Sequence, residues 1–187
     1  MNIEKEERYL ITDKEKVKII ENTITYKERT EMLDLSFYKD GKNLYYLYKY
    51  IIRLRKKGDS IKLEIKNYQN ENECVESSIK IENIKDVINF LKLMNLEPYI
   101  FLKRYRTIRL YKNLKIFIDE LDIIGDYVEI EYQDSPNAIE ELAEFKKICS
   151  INGTKQDMYG AIINEKLKDN NFKEEYQKKL VKILNNL

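Results

Sequence analysis

Two sets of charged side chains have the types and spacing to do chemistry. The first is acidic: Glu4 and Glu6, Asp119, and Glu129 with Glu131. Glu4 and Glu6 stand two residues apart, as do Glu129 and Glu131, and side chains at i and i+2 of a strand share one face. The chain has no histidine, and its two cysteines, Cys74 and Cys149, are far apart. A zinc site is therefore not expected, whereas converging carboxylates suit Mg²⁺ or Mn²⁺. The second set is basic: Arg8, Arg53, Arg55, Lys62, Lys66, Arg104 and Arg106. The guanidinium fork matches phosphate oxygens, and lysine adds a point charge. A metal that bridges phosphate oxygens and neutralises their charge is the usual support for phosphoryl transfer. A single Arg-x-Arg or Glu-x-Glu is more often a solvated face or a cross-strand ion pair. The joint occurrence of the two sets is what carries weight.

Strands must position these groups. In residues 3–11, Glu4, Glu6 and Arg8 share one face, while Ile3, Tyr9 and Ile11 share the other. Later strands repeat this division into an apolar face and a face of Arg, Lys, Asp or Glu. The pattern predicts an α+β protein whose antiparallel strands form a closed or nearly closed barrel, charged inside and apolar outside beneath helices. An open sheet with its charged face in water fits the same periodicity. If the barrel closes, burying the basic set without an anion would be costly, so a polyanion is expected inside.

Taken in order, Thr12-Asp13-Lys14-Glu15 reads as a capping box that opens a helix to about residue 22. Extended structure follows near residue 23 and over 31–38, and Asp40-Gly41-Lys42-Asn43 is a turn. Residues 44–55 read as a Tyr-rich strand, with Tyr45, Tyr46, Tyr48 and Tyr50 as sheet packing. Residues 61–68 return as its hairpin partner. A short strand over 75–81 precedes a helix whose stripe is Ile84, Val87, Ile88, Leu91 and Met94. Strands over 99–110, 114–121 and 126–132 follow. Ser135-Pro136 then starts a helical remainder, broken at Gly153 and at Asp169-Asn170-Asn171.

The composition bounds the rest. At 187 residues the chain suits a single domain, with residues 135–187 as a helical C-terminal extension. Lys+Arg (34) nearly balances Asp+Glu (33), which argues against a general nucleic-acid binder. The cysteines form no disulfide framework, no run is apolar enough to span a membrane, and no signal peptide stands at the N-terminus. A cytoplasmic location is expected.

The motifs resemble those of the CYTH superfamily, the triphosphate tunnel metalloenzymes, which include class IV adenylyl cyclases, thiamine triphosphatases and inorganic tripolyphosphatases. Glu4-x-Glu6-x-Arg8 is similar to the family's N-terminal Glu-x-Glu-x-Lys, with arginine in place of lysine. Leu33-Asp34-Leu35-Ser36-Phe37-Tyr38 resembles its Asp-Thr-Tyr-Tyr strand. Arg53-Leu54-Arg55 followed by Leu63-Glu64-Ile65-Lys66 resembles its Leu-Arg-x-Arg … Leu-Thr-x-Lys hairpin, and Arg104-Tyr105-Arg106 its Lys-x-Arg strand. Ile118-Asp119-Glu120-Leu121 and the stretch from Ile124 to Glu131 resemble its Leu-Asp-x-Val … Leu-Gly-x-Phe-x-Glu-x-Glu ending. Tyr159 falls where members often carry a Ser-Tyr pair. Cys74, Glu76 and Ser78 stand where the family often has Arg-x-Glu-x-Glu, so only Glu76 remains to serve there.

The resemblance implies a tunnel of about eight antiparallel strands. It implies that Arg8, Arg53, Arg55, Lys66, Arg104 and Arg106 bind a triphosphate, to which the charged faces add Lys62. It implies that Glu4, Glu6, Asp119, Glu129 and Glu131 hold Mg²⁺ or Mn²⁺, with Glu4, Glu6 and Arg8 as the catalytic group. The expected activity is hydrolysis of tripolyphosphate, thiamine triphosphate or ATP. The alternatives are cyclisation of ATP to cyclic AMP and pyrophosphate, or binding of a phosphorylated ligand without turnover. No membrane partner is expected, and the chain is expected to be a monomer or homodimer.

Overall fold

The structure, a computed structural model, describes residues 3–70, 73–133, 135–151, 155 and 158–187, without the side chains of Ile3, Glu4 and Lys14. Among the described residues, nine strands and six helices follow one another as β1 (Ile3–Ile11), α1 (Lys14–Thr23), β2 (Thr25–Lys39), β3 (Lys42–Asn43), α2 (Leu44–Tyr48), β4 (Tyr50–Lys57), β5 (Ser60–Tyr68), β6 (Glu73–Ile81), α3 (Ile84–Leu93), β7 (Leu96–Tyr111), β8 (Leu114–Leu121), β9 (Gly125–Tyr132), α4 (Pro136–Ile148), α5 (Tyr159–Lys166) and α6 (Asn170–Asn185).

The sheet runs β3-β2-β4-β5-β6-β1-β9-β8-β7, and β7 pairs back onto β2 to close it. Every pairing is antiparallel. Eight strands thus form the expected barrel, and β3 is a two-residue addition at its rim. Closure gives each barrel strand a neighbour on both sides, although β1 and β6 meet over only three residue pairs. The open-sheet alternative is excluded.

The side-chain period of two assigns each residue to the tunnel or to the outside. Outward residues form two apolar clusters. In one, Tyr9, Leu114, Ile116, Ile118, Val128 and Ile130 meet Ile20 of α1 and Leu142 and Phe145 of α4. In the other, Leu35, Phe37, Leu54 and Phe101 lie in one cluster with Ile84, Ile88 and Leu91 of α3, Ile163 of α5 and Tyr176 of α6. Full burial of each Ile or Leu contributes roughly 1.5–3 kcal/mol, so these helices hold the barrel's shape from outside.

Local chemistry sets two boundaries differently from the sequence reading. Residues 44–48 are helical, not the start of a strand. Asn43 caps them by accepting from Tyr45 N at 3.0 Å, and Lys49, at φ 61°, ends the turn in the left-handed region. Of the tyrosines there, Tyr45 packs edge-on against Tyr68, while Tyr46 and Tyr48 are exposed. At α1 the cap is Asp13, whose carboxylate accepts from Glu15 N, and not Thr12. Asp40 and Gly41 both have positive φ, as a tight hairpin turn requires, and the chain returns along β3. The break expected at Gly153 lies outside the described residues.

Candidate functional site

The tunnel encloses a cavity of about 350 Å³. Strand pairing brings the charged faces around it from distant parts of the sequence. Arg8 of β1 faces Glu129 of β9, Glu6 faces Glu131, and Arg106 of β7 faces Asp119 of β8. On the other side Asp34 faces Arg55, Arg53 faces Glu64, and Lys66 faces Glu76.

The wall of β1, β9 and β8 carries the carboxylate cluster. One oxygen each from Glu6, Glu129 and Glu131 lies within 4.8 Å of the others. Arg8 donates through Nε to Glu129 at 2.8 Å and through Nη2 to Glu6. Arg106 donates to both oxygens of Asp119, at 2.7 and 2.6 Å, and to Glu129 at 3.0 Å. Glu131 is less buried and pairs with Lys115 at 3.2 Å. Burial pushes the Glu6 and Glu129 carboxyls up, but the facing cations outweigh it. Arg8 and Lys66 hold Glu6 below its ordinary pKa, and Arg106 and Arg8 hold Glu129 well below. Both are ionised at neutral pH. Glu6 Oε2 is buried without a hydrogen bond, and Lys66 Nζ lies 3.6 Å from it. A buried anionic oxygen without a donor, beside two further carboxylates, fits a hard divalent cation.

The wall of β2, β4 and β5 uses its charges differently. Arg55 donates to both oxygens of Asp34, at 2.7 and 2.9 Å, and lies 3.2 Å from Glu64. Arg53 donates through Nε to the same Glu64 oxygen at 2.7 Å. Arg104 reaches Asp34 at 3.0 Å, and Lys66 reaches Glu76 at 3.2 Å. Burial disfavours the Asp34 carboxylate, yet Arg55, Arg104 and Arg53 together drive its pKa far below the ordinary range. Arg104 Nε is buried and has no acceptor. Tyr159, at the start of α5, enters the tunnel between the walls. Its hydroxyl donates to Asp119 at 2.9 Å, and the Arg8 and Arg104 guanidinium carbons lie 5.3 and 5.7 Å from its ring centre.

Of the residues singled out in the sequence, Glu6, Arg8, Arg53, Arg55, Lys62, Lys66, Glu76, Arg104, Arg106, Glu129 and Glu131 all line the cavity. Lys62 is exposed and has no ion pair among the described residues. Asp119 is fully buried, but its oxygens go to Arg106 and Tyr159, not to the carboxylate cluster. The side chain of Glu4 lies outside the described part.

The electrostatic expectation needs correction. The basic set does not stand alone: Asp34 and Glu64, absent from the expected ligand sets, pair with Arg53, Arg55 and Arg104 and offset two of their three charges. Repulsion among these guanidinium groups is therefore largely offset within the wall. The alternation of β5 contained the signal for Glu64, because it shares a face with Lys62 and Lys66. No local pattern revealed which arginines Asp34 would meet.

The CYTH domain family model matches residues 2–156. No curated protein sequence matches the chain. Among solved structures, a Pyrococcus horikoshii protein superposes with a TM-score of 0.74 at 16% identity, covering 87% of this chain and 99% of its own. A candidate adenylate cyclase from Vibrio parahaemolyticus gives 0.68 at 16% identity, with 87% and 98% covered. An adenylyl cyclase candidate from Hippeastrum, whose dominant activity is that of a triphosphatase, gives 0.64 at 15% identity, with 88% and 96% covered. These likenesses carry the fold, and the family match spans most of the sequence: the chain belongs to the CYTH domain family.

Proposed function

We propose that the chain is a divalent-metal-dependent enzyme that binds a triphosphate-bearing small molecule in its tunnel and hydrolyses it. One observation carries this reading. A single cavity is lined by a buried anionic oxygen lacking a donor, Glu6 Oε2, and by a buried guanidinium nitrogen lacking an acceptor, Arg104 Nε. A ligand that brings both a cation and anionic oxygens satisfies both, and a metal triphosphate is such a ligand.

Glu6, Glu129 and Glu131 are the residues that would hold Mg²⁺ or Mn²⁺, with Glu4 as a fourth candidate. The ion would supply Lewis-acid charge at phosphate oxygens. Arg8, Arg53, Lys66, Arg104 and Arg106 bind and orient the phosphoryl groups. Their charges face the oxygens on which negative charge develops, and the guanidinium groups stay protonated throughout. Lys57, Lys62 and Lys115 also line the cavity, and their half-buried or exposed positions suit attraction of an anion from solution. Residues 1–187 act as one domain, with the helices after residue 135 bracing the tunnel.

The test is turnover of tripolyphosphate, thiamine triphosphate and ATP by the full chain, with Mg²⁺, with Mn²⁺ and with EDTA, resolving phosphate from cyclic AMP. Metal-dependent phosphate release is expected. Cyclic AMP as the main product from ATP would replace hydrolysis with cyclisation. Binding without turnover would leave a sensor.

A further inference from the structure

Glu64 has no place in the reaction outlined above, yet it is a buried carboxylate on the tunnel wall, 4% exposed. It meets two cations: Oε2 accepts from Arg53 Nε at 2.7 Å and lies 3.2 Å from Arg55 Nη1. Arg55 is also held through Nε and Nη2 by Asp34. Glu64 and Asp34 thus already offset part of the charge that Arg53 and Arg55 would present to a phosphoryl group. Around the barrel, β6 and β1 separate Glu64 on β5 from the Glu129–Glu131 strand, β9. A triphosphate anchored at the acidic cluster would then extend its far phosphoryl group toward arginines whose pull Glu64 already offsets.

The chemistry of that far group decides how well it is tolerated. In inorganic tripolyphosphate it is a terminal phosphoryl and carries up to two negative charges. In a triphosphate ester it is the α-phosphoryl, carries one, and its ester oxygen bears none. We propose that Glu64 is a specificity-determining residue that makes the tunnel prefer organic triphosphate esters to inorganic tripolyphosphate. This rests on the triphosphate reading of the site. Glu64 contacts no reacting atom. It acts through the potential at the β4–β5 wall and through its hold on Arg53 and Arg55.

The experiment is calorimetric binding of tripolyphosphate and methyl triphosphate to the full chain, in EDTA and again with Mg²⁺. The wild type should bind the ester more tightly. Glu64→Gln keeps the side chain's size and an acceptor for Arg53 while removing the charge. It should lower the ratio of the tripolyphosphate Kd to the ester Kd by about tenfold, the order expected for one like charge across a few ångströms of partly desolvated space. Ser78→Lys is an independent route. Ser78 is exposed and stands opposite Glu64 in the β5–β6 ladder, so a lysine there adds compensating charge without touching the buried pairs. It should move the ratio the same way, and it keeps the inference testable if Glu64→Gln unfolds. An unchanged or raised ratio in a folded variant overturns the role of Glu64 and leaves the triphosphate reading standing. If the wild type binds neither anion in either buffer, both fall together.

Discussion

The β1–β9–β8 wall and the β2–β4–β5 wall carry the same kinds of side chain and spend them differently. On the second, Arg53 and Arg55, joined by Arg104 from the neighbouring β7, close onto Asp34 and Glu64, and all these groups are buried or half-buried. On the first, Arg8 and Arg106 also meet carboxylates, but Glu6 keeps a buried oxygen without a hydrogen bond and three carboxylates converge. Paired buried charges are expensive to break, and on the second wall only Arg104 Nε is left without an acceptor among the described residues. An unsatisfied buried charge is a cost that a ligand can remove. The difference marks the first wall as the place for a cation and the second as a scaffold that fixes where donors point.

The largest test of that contrast is on the scaffold wall. Asp34→Asn leaves Arg53, Arg55 and Arg104 short of their shared anion. Breaking a buried pair from one side typically costs roughly 3–5 kcal/mol, and a loss of at least about 3 kcal/mol is expected in the urea unfolding free energy. Arg55→Ala should also destabilise, because it removes two hydrogen bonds from Asp34 and one cation from Glu64, leaving them to Arg104 and Arg53. An Arg55→Ala protein more stable than wild type would mean that repulsion among guanidinium groups dominates the tunnel after all.

Acid sharpens the same point. Asp34 is held far below its ordinary range by Arg55, Arg104 and Arg53 against the cost of burial. A carboxyl with a depressed folded-state pKa contributes stability that is complete above its unfolded value, about 3.9, and is lost as pH falls further toward the folded value. The stability gap between wild type and Asp34→Asn should therefore be constant from pH 7 to about 5 and narrow below about 4. A gap that widens in acid would contradict the pairing.

On the first wall the expected effect is on ligand, not fold. Glu131 is at the edge of the cluster and its partner Lys115 is largely exposed. Exposed ion pairs contribute about 0–1 kcal/mol, so Glu131→Gln should change stability by less than about 1 kcal/mol. It should reduce the melting-temperature rise produced by Mg²⁺ or Mn²⁺, as expected from weaker binding. An undiminished metal response in that variant would remove Glu131 from the site.

These predictions separate what the sequence disclosed from what it did not. Period-two alternation was enough to put Arg53, Arg55 and Lys66 on one face, because strand parity is a local property. The hairpin between β4 and β5 was equally legible from its turn residues. Local signals misled over residues 44–48, where tyrosines suggest a strand but Asn43 and Lys49 cap a helix. The carboxylate partners were hidden for a different reason. Asp34 meets Arg104 through the β2–β7 closure, 70 residues apart in sequence, and no local pattern specifies such a register.

Removing the hydroxyl of Tyr159, which touches both walls, should have a small effect. Its hydroxyl donates to Asp119 Oδ2, and its ring lies beside the Arg8 and Arg104 guanidinium groups. Tyr159→Phe removes only the hydroxyl. Asp119 then keeps both hydrogen bonds from Arg106, so its charge stays paired. A hydrogen bond to a charged group is worth about 1.5–3 kcal/mol, and with the carboxylate still bound the loss should lie at or below the lower end, about 1 kcal/mol. The ring and its cation contacts persist in that variant. Tyr159→Ala also removes the aromatic contact with Tyr127, 5.2 Å between ring centres, and should cost at least about 3 kcal/mol, the usual range for truncating a buried aromatic. Urea unfolding of the two variants divides the hydroxyl's contribution from the ring's. Equal losses would place the whole contribution in the hydrogen bond to Asp119 and leave the ring no part in joining the walls.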